Sequence, residues 1–362
     1  MSSREVLGIS LKLIAVCGLN PKKVVKPLYV FNFIIMGMIT VLVIVNMILN
    51  FHMSLVEKIT YLYYAWSKFS TFLFLQRCAL EKFLKRMKYF KSDDGNSEEI
   101  SIFKKYYGWL KLYALYTLFC GILVVYDAFT SDPRTIFGSY APKGVSPTVL
   151  FTAELYVEIQ SYFSNVGANI LSCIFTLSVA QQLRILRRKI QALDLTQTQS
   201  EDERQKCMVN VKEIIAYHIF LVNCIRKLRE INSLSLLVQI IGDVSVLCIN
   251  MYGLTTPEIG ARELVQRMTV NLLMVASFIF LFGYPSQLLA EEFEGVGESI
   301  YCNCDWYMPN IISIRNDLLL MLLMSQKNLA ITAGGFTDVD NTTVLFMIKT
   351  AYSFFTYLQT VS

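Results

Sequence analysis

Apolar runs of about twenty residues, separated by polar connections, set the organisation of this chain. Seven of them predict spanning helices at 28–51, 59–81, 109–130, 150–181, 232–254, 269–291 and 342–362. No ten-residue alternation of inward and outward positions runs through them, which argues against a β-barrel. Two runs are impure. Lys68 and Arg77 interrupt the second, and Glu154, Glu158, Gln160 and Asn165 interrupt the fourth. A charge at mid-membrane depth needs a protein or water neighbour, so these helices are predicted to turn a face inward, while Arg77, near an end, can snorkel. The fourth run is also too long for a bilayer, so one end should project beyond it.

The last run reads TVLFMIKTAYSFFTYLQTVS over 343–362. Lys349, Ser353, Thr356 and Thr360 recur on it at helical spacing with Tyr352 and Gln359 beside them, while Leu345, Phe346, Ile348, Phe354, Phe355 and Leu358 supply the rest. Bare hydroxyls and amides in hydrocarbon are costly. The stripe therefore predicts one of two settings, contact with another helix or exposure to water, and the pattern alone leaves both open.

The connections differ in kind. Residues 4–16 predict an amphipathic helix on the membrane surface, ended by Gly18 and Asn20-Pro21, rather than a cleavable signal. Residues 82–108 hold the basic run Lys82, Lys85, Arg86, Lys88 and Lys91. Residues 183–230 carry RILRRK, then a polar stretch, then an amphipathic helix running into the fifth span. Residues 292–341 hold a helical run at 316–329 and a break at Ala333-Gly334-Gly335. Lys and Arg number 22 in residues 1–27, 82–108 and 183–230, against 5 in 52–58, 131–149 and 255–268. That asymmetry predicts a cytoplasmic N-terminus and, with seven spans, an extracellular C-terminus. It is opposite to rhodopsin-like receptors and argues against G-protein coupling. It also leaves the Asn341-Thr342-Thr343 sequon on the cytoplasmic side, where it would not be glycosylated.

Composition agrees. At 362 residues the chain is 54% hydrophobic with a mean hydropathy of +0.46, too apolar for a soluble domain, and a net charge of +5 does not imply nucleic acid. Nine scattered cysteines give no disulfide framework, and Cys302 with Cys304 lacks a second pair or a nearby histidine for a metal site. His52 and His218 are the two histidines, and no catalytic spacing or phosphate-binding loop surrounds them. No enzyme chemistry, cofactor or metal is expected.

The last fifth resembles a known family. Gln326-Lys327, then Leu329-Ala330-Ile331-Thr332-Ala333-Gly334, then Tyr352-Ser353-Phe354-Phe355-Thr356 is similar to the C-terminal signature of insect odorant receptors. The stretch YPSQLLAEEFEGVGESIYCNCDWY at 284–307 looks like that family's sixth span continuing into a cytoplasmic helix. One position departs: Gly335 stands where the family commonly has a basic residue.

The resemblance implies an all-α membrane protein of seven transmembrane helices whose cytoplasmic helical extensions form an anchor domain. Its parts would be an N-terminal helix (1–27), spans one to four (28–181), a cytoplasmic loop and extension (183–230), spans five and six (231–291), anchor helices (292–341) and a pore-lining seventh helix (342–362). It implies an odorant-gated nonselective cation channel of olfactory sensory neurons, located in the plasma membrane among membrane lipids. The channel would be a heterotetramer with the odorant co-receptor. The short 183–230 loop points to the odour-specific subunit. Pore and gate residues would be Tyr352, Phe355, Thr356 and Gln359, with Lys349 toward a wider vestibule.

A small volatile, aromatic or heterocyclic, would sit in an aromatic cavity of the outer half. The expected positions are Tyr61, Tyr64 and Phe69, then Leu123, Tyr126 and Asp127, then Tyr156, Gln160 and Phe163. Lys68 would pair with Glu154 or Glu158 at its rim. A gustatory receptor channel is an alternative, disfavoured by Ala351 before the tyrosine and Thr360 after the glutamine. A secondary transporter is another, and the internal repeats it would need are not seen.

Overall fold

A computed structural model of the chain describes residues 11–12, 26–50, 83–90, 97–130, 135–193, 201–255, 260–304, 312–327 and 329–361. The predicted N-terminal amphipathic helix, apart from residues 11–12, and the second span lie outside them.

The described residues are almost wholly helical. In chain order they form α1 (Lys26–Leu49), α2 (Ser97–Thr130), α3 (Pro147–Gln191), α4 (Glu201–Gly253), α5 (Ala261–Phe278), a π segment (Ile279–Gly283), α6 (Tyr284–Asn303), α7 (Ile312–Ser325), a two-stranded hairpin (β1 Thr332–Ala333, β2 Thr337–Asp338) and α8 (Asn341–Val361). Among these residues five helices are long and apolar enough to cross a membrane. The C-terminal helix is not one of them, because its polar stripe dilutes its hydropathy. A helix screened from lipid on one side has no need to be apolar all round.

The impure fourth run becomes the centre of the molecule. The most apolar stretch of α3 is 83% buried inside the protein, whereas that of α2 is 6% buried. Ser161, Ser164, Asn169, Ser172, Thr176, Ser178 and Gln182 can therefore stand inside α3 without meeting lipid. Ser172 Oγ donates to Asn232 Oδ1 of α4 at 2.9 Å, and Asn169 Nδ2 donates to the Tyr113 oxygen of α2 at 2.9 Å. At about 1.5 Å per residue, the 45 residues of α3 and 53 of α4 reach roughly 68 and 80 Å, over twice the hydrocarbon thickness.

The overhanging ends pack with α6 and α7. Arg184 of α3 grips Glu292 of α6, with Nη2 at 2.5 Å and Nε at 2.7 Å from one carboxylate oxygen, and Arg187 lies 3.9 Å from the other. His218 of α4 stacks on Phe293, ring centroids 5.9 Å apart and planes 8° from parallel.

Two local features position the C-terminal helix. Pro285 has no N–H to donate and its ring crowds the carbonyl four residues back, so the helix widens just before it. The Tyr284 N–H accordingly reaches the Ile279 carbonyl, five residues away. The Ala333-Gly334-Gly335 break is the turn of the hairpin, with Thr332 paired to Asp338 and Ala333 to Thr337. Its two glycines have φ of 62° and 79°, as a I′ turn requires. A Cβ on Gly334 would also come within 2.6 Å of Leu237. The Gly334 N–H donates to the Ser233 carbonyl at 2.9 Å, and Arg229 Nε to Thr332 Oγ1 at 2.8 Å, fastening the hairpin to α4.

Candidate functional site

An outer cavity of about 360 Å³ lies between α2 and α3. Leu118, Gly121, Ile122 and Val125 form one wall, and Leu155, Glu158, Ile159, Tyr162 and Phe163 the other. Its size suits a small ligand, and its lining is apolar with one carboxylate. The Tyr162 hydroxyl is already committed, donating to the Ala114 carbonyl at 2.7 Å.

Of the positions expected from sequence, Phe163 lines this cavity. Leu123 is half-buried, and Tyr126 is exposed. Tyr156 is turned toward α1, its hydroxyl donating to Asn32 Oδ1 at 2.7 Å and its ring edge-on to Phe31. Gln160 is buried in the bundle. Tyr61, Tyr64, Lys68, Phe69 and the Asp127 side chain lie outside the described residues. The remaining lining is mostly aliphatic and carries no chemical mark of its own in the sequence. The spacing 118, 121, 122, 125 against 155, 158, 159, 162 would have shown which faces meet.

The connection before α3 packs against α1 and α3. Ile136, Phe137 and Ser139 are buried, and Gly138 accepts from Asn46 Nδ2 of α1 at 2.8 Å. The Tyr140 N–H donates to the Leu42 carbonyl at 3.1 Å, and the Ile136 N–H donates to Glu154 Oε2 at 2.5 Å. Glu154 thus holds a loop amide.

The C-terminal helix α8 begins with a reciprocal cap. Asp340 Oδ1 accepts from the Thr343 N–H at 2.9 Å, and Thr343 Oγ1 accepts from the Asp340 N–H at 3.2 Å. Partial burial alone would raise the Asp340 carboxyl, but the Thr342 hydroxyl and the Thr343 amide and hydroxyl outweigh it and hold it below the usual aspartate range. Asn341 and Thr343, the outer members of the sequon, have structural partners: Asn341 Nδ2 donates to Gln287 Oε1 at 2.7 Å, and Thr343 is buried.

Along α8, Val344, Met347 and Ala351 are buried, with Phe355 and Leu358 packed against the same core. The stripe of Lys349, Ser353, Thr356 and Thr360 falls on the opposite side of the helix. Among the described residues its hydroxyls bond within α8 itself. Ser353 donates to the Lys349 carbonyl at 2.9 Å, Thr356 to Ser353 at 2.9 Å and Thr360 to Tyr357 at 2.7 Å. Such back-bonding reduces the cost the sequence assigned to those hydroxyls, leaving Lys349 and Gln359 as the groups that most need polar surroundings. Tyr352 and Gln359 are exposed, Thr356 is half-buried, and Phe355 faces its own chain.

The π segment meets this helix at its base. A Cβ on Gly283 would fall 2.9 Å from Asn341 Oδ1 and 3.4 Å from the Asp340 carbonyl oxygen, so a larger residue there would displace the Asn341 side chain. Among the described residues no group of three His, Cys, Asp or Glu could hold a metal ion.

Comparison with known proteins follows the same lines. The sequence pattern of a family described as 7tm Odorant receptor matches residues 59–352. Odorant receptor 82a of Drosophila melanogaster is 23% identical over 236 residues, covering 62% of this chain and 56% of that protein. Odorant receptor 30a of the same fly is 24% identical over 253 residues, covering 67% and 63%. This chain therefore spans a little over half the length of those curated relatives. The structure of the insect olfactory receptor OR5 from Machilis hrabei has a TM-score of 0.73 at 13% identity, covering 93% of this chain and 89% of that one. The same receptor in complex with eugenol gives 0.75 at 13%, covering 99% and 98%. At such identities the likeness is one of fold, an all-α helical bundle.

Proposed function

This chain belongs to the 7tm Odorant receptor family, one of receptors rather than enzymes, and on that premise we propose that it is the odour-specific subunit of an odorant-gated, nonselective cation channel. The carrying observation is the polar stripe of α8. Its hydroxyl-bearing face points away from the described helices of its own chain, while the apolar side packs inward. Copies of such a helix around an axis enclose a polar path.

The partner is the odorant co-receptor, in a heterotetramer in the plasma membrane of olfactory sensory neurons. The N-terminus lies in the cytoplasm. A small aromatic or heterocyclic volatile binds in the outer half, at the cavity between α2 and α3. That Machilis hrabei OR5 is known in complex with eugenol supports a ligand of this size. Tyr352, Phe355, Thr356 and Gln359 form the constriction and its outer vestibule, where apolar side chains exclude water until the helices part. Ligand shifts the gate by binding the open arrangement better. The shift passes through the π segment, whose last residue abuts Asn341 at the foot of α8.

The test is co-expression with the odorant co-receptor, application of an odorant panel, and recording of current. Ligand-evoked inward current reversing near zero millivolts is expected. Surface-expressed complexes that stay silent to every volatile would overturn the reading.

A further inference from the structure

A second cleft, of about 330 Å³, lies between α2 and α5 and is separate from the outer cavity. Its rims are outward-facing: Leu112 is 57% exposed, Leu272 66%, Trp109 41% and Phe280 36%. Both helices continue this apolar surface, through Leu115 and Phe119 on α2 and Val265 and Met268 on α5. At spanning depth such a surface meets hydrocarbon, so hydrocarbon is what covers the cleft.

The gap has a sequence cause. Ala276 and Ser277 are small where α5 faces α2, and the π segment then carries Phe280 outward to stack on Trp109 at 4.5 Å and 12°, closing one end. Three of the lining hydroxyl groups already have partners within the protein. Tyr116 donates to the Thr269 carbonyl at 2.8 Å, Ser277 to Met274 at 3.0 Å, and the Tyr113 oxygen accepts from Asn169. A ligand that needs hydrogen bonds gains little from them, whereas a flexible hydrocarbon gains dispersion contact along the whole cleft.

We infer that the cleft between α2 and α5 is a lipid site occupied by an acyl chain of the surrounding bilayer. The chain rests on Phe280 and Leu281 of the π segment, three and two residues before Gly283, the end that meets α6. Where α8 lines the conducting path, as proposed above, the bilayer acts on the gate through this site. The site itself does not depend on that reading.

The test uses the full chain in phosphatidylcholine nanodiscs with a photoactivatable diazirine on the acyl chain, adducts being mapped by peptide mass spectrometry. Labelling of Trp109, Leu112, Leu272 and Phe280 should exceed that of Leu115, Phe119 and Val265, which are as exposed but outside the cleft. Ala276→Phe and, independently, Ser277→Leu should cut cleft labelling severalfold and leave the outside positions unchanged. Equal labelling inside and outside the cleft in the native chain would overturn the inference. So would cleft labelling that survives both fillings in variants with native thermal melting. Because no odorant or current is involved, the result stands apart from the channel assay.

Discussion

Asn341, the first residue of the C-terminal helix, donates its amide to Gln287 of α6 at 2.7 Å, one turn beyond the π segment. This bond and the Gly283 contact join the path from the ligand-facing bundle to the proposed pore. A typical hydrogen bond contributes about 1 kcal/mol, roughly a fivefold change in an equilibrium constant. Asn341→Ala and Gln287→Ala should each shift the half-maximal odorant concentration by about that factor, and the double variant should add little. Concentration–response curves for the three variants check this. Additive shifts would show that the two side chains act separately.

At the outer cavity, Phe163→Ala should raise the half-maximal concentration by about tenfold or more through lost apolar contact, with an unchanged reversal potential. Gln359→Ala should do the converse, changing relative cation permeability under bi-ionic conditions while moving ligand sensitivity by about twofold at most. If Phe163→Ala leaves every curve in place, the cavity is not where the ligand binds.

How much of this was legible beforehand depends on the residue. The inward face of α3 could be read from Glu154 and Gln160, because charge and amide groups at that depth leave few alternatives, whereas Glu158 is half-buried and Asn165 is exposed. The partners could not be read. The Glu154 carboxylate holds the Ile136 amide, and a loop contact across eighteen positions leaves no periodic trace, while Lys68, expected beside Glu154 or Glu158, lies outside the described residues. The stripe on α8 was visible as a period, but the back-bonds of Ser353, Thr356 and Thr360 depend on rotamers that sequence does not state. The π segment was hidden too, although Pro285 was its cause in plain view. Helical phase decided the cavity walls, and a shift of a single position moved the reading from Ile122 to Leu123.

The anchor offers a stability test. Glu292 is largely buried and Arg184 is about one-third exposed, so Glu292→Ala removes a charge-assisted pair and should cost about 2 kcal/mol. Thermal unfolding followed by fluorescence-detected size exclusion would register it as a lower midpoint. Arg187→Ala, at 3.9 Å from the same carboxylate, should lower it less.

Gly334 and Gly335 separate two demands on a turn. Gly334→Ala meets both positive φ and Leu237, and should cost more than about 1 kcal/mol. Gly335→Asn has open space and a side chain that tolerates positive φ, so it should be close to neutral. Surface expression of the two variants should differ accordingly.

The Asp340 cap predicts a pH dependence of definite sign. Its carboxyl is depressed in the folded chain, so its contribution is complete at pH values above the ordinary aspartate range and is lost as pH falls below that range. Asp340→Ala should lower stability by about 1 kcal/mol at neutral pH and by less in acid. Melting midpoints of both proteins measured down a pH series should converge.

The connection before α3 is fastened partly by main-chain atoms: the Ile136 and Tyr140 amides and the Gly138 carbonyl. The side chains of Ile136, Phe137 and Ser139 are buried, and Gly138 holds a φ of 64°, whereas residues 143–146 are exposed. Change in this connection is therefore resisted where it touches α1 and α3 and tolerated in the few residues that enter α3, so the same anchorage can carry different outward faces.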